Sequence, residues 1–190
     1  MPAGLSIRRS RSLLQIFRSA GEGIDARQIV GRVRSTAAPR LRSERSVLRL
    51  LDGDWSESEE FVSRPELPQE GVEFANCRRH WIDGVPWEET DVYRVAMDVV
   101  APSTSDPQAK REKIRAKYAR LDVVFEEVRR HGFSRRSEHR VSMSLSRDGA
   151  LLAGPNGRHR VAMAVILERP LPVTWLVLHP EGLDSVRLLH

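Results

Sequence analysis

The chain has 190 residues, 40% of them hydrophobic, with 31 Lys or Arg against 26 Asp or Glu and a single cysteine. A lone cysteine excludes a disulfide framework and a cysteine-built zinc cluster, and the length suits one domain with an appendage or two small units. No stretch is long and apolar enough to span a bilayer, so the expected setting is a reducing cytoplasm in which Cys77 is a small buried hydrophobe.

The positive balance is uneven. Residues 1–50 hold eleven Arg against three acids, residues 51–109 four Arg against fourteen acids, and residues 110–140 eleven Lys or Arg against five acids. A basic arm over residues 1–43 thus precedes an acidic segment that can neutralise it within the chain. The arm also suits a nucleic acid, a use ranked below neutralisation. Its apolar run, Leu13, Leu14, Ile16 and Phe17, is too short for a secretory core and is closed by Arg18. Arg8 and Arg9 lack the long apolar stretch of a twin-arginine signal. The run could make a short basic amphipathic helix for an acidic surface, but a solvated arm is the simpler expectation.

Residues 35–43 form a proline-containing break. Val47, Leu48, Leu50 and Leu51 predict a short strand that ends at the turn Asp52-Gly53-Asp54. Phe74, Cys77 and Trp81 fall at helical spacing, and Gly84 stops that helix. A partly helical segment follows, with Trp87, Val92, Tyr93 and Val95. The clearest helix opens at Asp106-Pro107, carries Ile114, Tyr118, Leu121, Phe125 and Val128 on one face, and stops at Gly132. Its other face, dense in Lys and Arg, is expected to be solvated.

Beyond it the period changes. Val141, Met143 and Leu145 alternate with serines, Arg147-Asp148-Gly149 is a hairpin signal, and "ALLA" returns as a second strand. The loop "GPNGRHR" then leads into a helix with Val161, Ala164, Val165 and Ile166 buried, and an apolar strand ends the pattern. Together these predict an α+β fold, a small mixed sheet with flanking helices.

The loop carries the chemistry. Gly154 and Gly157 allow close backbone approach, and Asn156 is a good N-cap. Free N–H groups and the dipole of a helix N-terminus favour a phosphate or carboxylate. Arg160 can grip such a group bidentately, while His159 can donate a hydrogen bond or act as acid or base. Arg158 is free to point outward in this reading, and a tight turn with its arginines in water is the plain alternative.

The order helix, strand, strand, Gly157-Arg158-His159-Arg160, alanine-bearing helix (Ala162, Ala164) and Leu171-Pro172-Val173 strand resembles the ParB/sulfiredoxin superfamily over residues 110–180. The resemblance implies a domain over residues 110–190, with residues 44–109 as an acidic extension packed on it. It also implies a nucleoside di- or triphosphate, with Mg2+, held by Gly157, His159 and Arg160 and by the backbone of Asn156 and Arg158.

Three departures bear on activity. Arg158 stands where sulfiredoxins carry their catalytic cysteine, so sulfinic-acid reduction is not expected. The sequence ends soon after the last strand, so no helix-turn-helix for centromere-type DNA binding is expected. Asn156 replaces an acid found in many relatives, so catalysis would need another carboxylate, for which Glu138 and Glu127 are candidates beside His159. The segment around Asp52-Gly53-Asp54-Trp55 looks like the opening of uncharacterised ParB-like proteins, and Asp52 and Asp54 could add a metal or a base to a shared pocket or simply form a turn. The implied functions are phosphoryl transfer or hydrolysis, a non-catalytic nucleotide-sensing or scaffold module, and a ParB-like DNA-associated protein or nuclease.

Overall fold

The computed structural model describes residues 22–33, 49–59, 61–63, 71–134 and 140–185. Six strands form one mixed sheet: β1 (Ile29–Val33), β2 (Arg49–Leu50), β3 (Val62–Ser63), β4 (Val141–Leu145), β5 (Leu151–Ala153) and β6 (Val173–Leu178), in the order β2-β6-β4-β5-β1-β3. The expected α+β class holds. β4 runs antiparallel to β5 and parallel to β6, and β1 runs parallel to β5.

Charge alone assigned residues 1–43 to an arm, yet part of that stretch is sheet. β1 buries Ile29, Gly31 and Val33, and a bulge between Ile29 and Gly31 turns Ile29 into one core and Val33 into the other. A five-residue strand is lost when charge is averaged over fifty residues. The remainder of the arm, apart from residues 22–33, lies outside the described residues, as does the amphipathic run at residues 13–17.

The two faces of the sheet have separate cores. On one, Val141, Met143 and Leu145 pack with Val161 and Ala164 of the helix Arg158–Ile166. On the other, Trp55 packs with Val33, Val62, Leu152 and Val177 of the sheet. The serine side of β4 is therefore buried as well: Ser144, opposite Leu152 and Val177, is fully enclosed. Small hydroxyls suit a face covered by chain from elsewhere.

The helices are α1 (Val72–Trp81), α2 (Asp91–Val95), which runs on into a π-turn at Ala96–Val100, α3 (Pro107–His131), α4 (Arg158–Ile166) and α5 (Gly182–Ser185). The start and stop of α3 fall where the sequence put them. The Asp106 carboxylate accepts the Ala109 N–H at 2.9 Å, Pro107 sits in the first turn, and Gly132 leaves the helix at φ 74°. Cys77 of α1, Trp87, Tyr93, Ile114 and Tyr118 form a third core with Ala162 of α4. Cys77 is fully buried there, and burial pushes its thiol up to about 12. Thus α4 lies between the sheet and the layer of α1–α3, and its alanines let both approach closely. No helix among the described residues is long and apolar enough to cross a membrane.

α5 seals the far end of the sheet. A Cβ added at Gly182 would overlap the Ser146 carbonyl oxygen. Gly182→Ala must therefore push α5 off the β4–β5 turn, at an expected cost of about 1–3 kcal/mol, read as a lower urea midpoint. A loss below about 0.5 kcal/mol would show that this docking contributes little.

Candidate functional site

The loop from β5 to α4 is fixed by contacts with the start of β4. The Gly154 N–H donates to the Ser142 carbonyl at 2.6 Å. Gly157 adopts φ 102°, and a Cβ there would lie 2.9 Å from Val141 Cγ2. This left-handed glycine, not Asn156, is the N-cap of α4. Asn156 stands one position too early and is exposed, and the cap falls where the backbone must turn left-handed. No side chain among the described residues caps the helix, and its first turn contains no acid.

The three basic side chains leave this turn in different directions. Arg158, half exposed, forms an ion pair with Glu73 in the first turn of α1. Arg160 turns toward β4 and donates from Nη1 to the Arg140 carbonyl at 2.7 Å. His159 points at the helical layer, edge-on to Tyr118 with ring centres 6.0 Å apart. Its Nε2 is enclosed and has no hydrogen-bond partner among the described residues.

Burial weakens the charged form of all three groups. It lowers the pKa of Arg160, and burial together with the nearby Arg32 lowers that of Arg158. For His159, burial and then the cations Lys117, Arg158 and Arg160 lower the pKa to about 4. The imidazole is consequently neutral at neutral pH, able to donate or accept one hydrogen bond but poorly matched to general acid–base work there. The site as a whole is a helix mouth without a side-chain cap, flanked by two partly desolvated arginines, one of them paired with Glu73, and by a neutral imidazole.

Glu127 is exposed on α3, and Glu138 lies outside the described residues. Asp54 and Asp52 sit at the opposite end of β4, not in a pocket shared with the loop. The loop packs on Val141 and Ser142, whereas Asp54 pairs at 2.8 Å with Arg147, beyond the last residue of the strand. Arg147 also faces Glu57 at 3.5 Å and Glu181 at 3.3 Å, and its backbone N–H donates to Ser56 Oγ.

Next to that cluster is His179, fully buried and not foreseen from sequence. Atoms of Asp52, His179 and Glu181 lie within 4.8 Å of one another, a spacing that could suit a metal. The backbone has already engaged both ring nitrogens, however. Nε2 lies 2.9 Å from the Gly53 carbonyl, and Nδ1 accepts the Glu181 N–H at 3.2 Å. A ring used in this way has no lone pair left for an ion, and it ties the Asp52–Asp54 turn to the end of β6.

A second unforeseen group is Asp122 of α3. Its Oδ1 accepts from Trp81 Nε1 at 3.0 Å and Trp87 Nε1 at 2.9 Å and lies 2.9 Å from Nε2 of His80, whose Nδ1 lies 2.7 Å from the Val85 carbonyl. Around it, His80 stacks on Trp87, Trp81 stacks on Phe125, and Trp87 leans on Tyr118, which in turn meets His159. The available signal was the pair of tryptophans, since a buried indole N–H requires an acceptor.

Comparison of the chain with protein-family models, with curated proteins and with solved structures gives no match.

Proposed function

We propose that the chain is a ParB/sulfiredoxin-like module that binds a nucleotide or another phosphate ligand at Gly157-Arg158-His159-Arg160. The observation that carries this reading is the helix mouth itself: a left-handed glycine with no side-chain cap, followed by three basic residues that burial holds at reduced hydration. An anion there would restore charge balance and accept the first-turn N–H groups. The lone buried Cys77 suits a reducing cytoplasm.

A binding module without turnover is favoured over phosphoryl transfer. Glu73, the carboxylate that meets the loop, is committed to Arg158, and His159 is too weak a base near neutral pH. The same basic donor set does not fit Mg2+ held by the protein, so a divalent ion would arrive bound to the phosphates of the ligand.

Calorimetry with ATP, ADP, CTP and GTP tests the reading. Arg160→Ala is expected to weaken binding about 10- to 100-fold, the range for losing a charge-assisted hydrogen bond. No binding of any of the four by the wild-type protein would refute the nucleotide reading. Phosphate release during the titration would restore the enzymatic alternative.

A further inference from the structure

We infer that Glu73 is a built-in competitor for the anion at the mouth of α4, and that it sets the charge a ligand must carry. The inference rests on the phosphate-binding reading above. Glu73 projects from the first turn of α1, and its side chain is 23% exposed. It reaches Arg158, the first residue of α4. The two helices are held in register by a shared core in which Cys77 and Phe74 of α1 meet Ala162 and Ile166 of α4.

Glu73 has two favourable seats. One is Arg158. The other is the N-terminus of its own helix, where the α1 dipole favours a carboxylate and no side chain among the described residues supplies a cap. A displaced Glu73 therefore does not become an unpaired charge in a poor environment, and the contact is a reversible one.

Ligand selection follows from this exchange. A monoanion at Arg158 merely replaces one carboxylate-like charge with another and gains little. A phosphate dianion or a diphosphate brings more charge than Glu73 removes, and it also reaches the first-turn N–H groups that Glu73 leaves open. Glu73 is thus a specificity-determining residue that holds Arg158 against weak monoanions and yields to multiply charged phosphates.

The test is a double-mutant cycle measured by calorimetry with inorganic pyrophosphate and with ADP. Glu73→Gln is expected to tighten binding of both about 3- to 30-fold, and acetate, too weak for the wild type, is expected to become a measurable competitor. The gain should vanish when Arg158→Ala is also present. Glu73→Asp, whose carboxylate is withdrawn by one methylene, should give a smaller gain and serves if the glutamine variant does not fold. Unchanged or weaker binding in these folded variants, or a gain that persists without Arg158, would overturn the inference while leaving the phosphate site standing. Absence of pyrophosphate and ADP binding in wild type and variants alike would remove both.

Discussion

Asp122→Ala is expected to cost about 3 kcal/mol of stability, which for a chain of this length lowers Tm by roughly 6–12 °C. The variant strands two indole donors at once, Trp81 Nε1 and Trp87 Nε1, and takes away the oxygen that lies 2.9 Å from His80 Nε2. Trp87 carries the largest share because it is 5% exposed and its indole has little access to water. Trp81 and His80 are only half buried, so water can meet part of their need. Asp122→Asn keeps an acceptor oxygen and is expected to retain at least half of the lost stability. Thermal and urea unfolding of both variants check this. A loss below about 1 kcal/mol for the alanine variant would show that the donors find other acceptors.

The second large effect is expected at His159 on acidification. Its folded pKa of about 4 lies below the ordinary 6.5, so between these values the unfolded chain binds the proton and the folded chain does not. The contribution of His159 is complete above pH 6.5 and declines as pH falls toward 4, by up to about 3 kcal/mol. Unfolding free energies of wild type and His159→Gln across that window isolate the effect, because carboxylate titrations common to both cancel. The glutamine variant should lose distinctly less stability on the acid side. Pyrophosphate at the loop should also shrink the wild-type loss, since an anion offsets the cations that hold the ring neutral. Parallel curves for wild type and variant would refute the assignment.

The elements legible in the sequence were those written locally. Asp106-Pro107 and Gly132 bracket α3, Val141, Met143 and Leu145 mark β4, and the turn at Asp148-Gly149 joins β4 to β5. The cap of α4 was misplaced by one residue because Asn156 has the better capping side chain, while the backbone at Gly157 makes the left-handed turn. The edge strands differed: β2 falls within the short strand predicted to end at Leu51, whereas β3 was not foreseen and is placed by its pairing with β1.

At the site, Arg158, His159 and Arg160 could be named because they are adjacent in the chain. Glu73 could not, since only the packing of α1 on α4 brings it to Arg158. The same holds for Asp122 and His179. On a helix wheel Asp122 reads as part of a solvated face, and its partners come from an acidic segment some 40 positions earlier, with sequence separations of 35 to 42. The partner of His179 is the Gly53 carbonyl, 126 positions away. Buried polar groups are specified by their partners, and partners distant in sequence leave no local pattern.

The position of α4 between two cores has a kinetic consequence. Val161 and Ala164 are held by the sheet side and Ala162 by the helical layer, so the helix is clamped from both directions immediately behind its first turn. The directions of its leading N–H groups are set before any anion arrives. Capture would then lose little ordering entropy, and ligands of similar charge would arrive at similar rates and differ mainly in residence time.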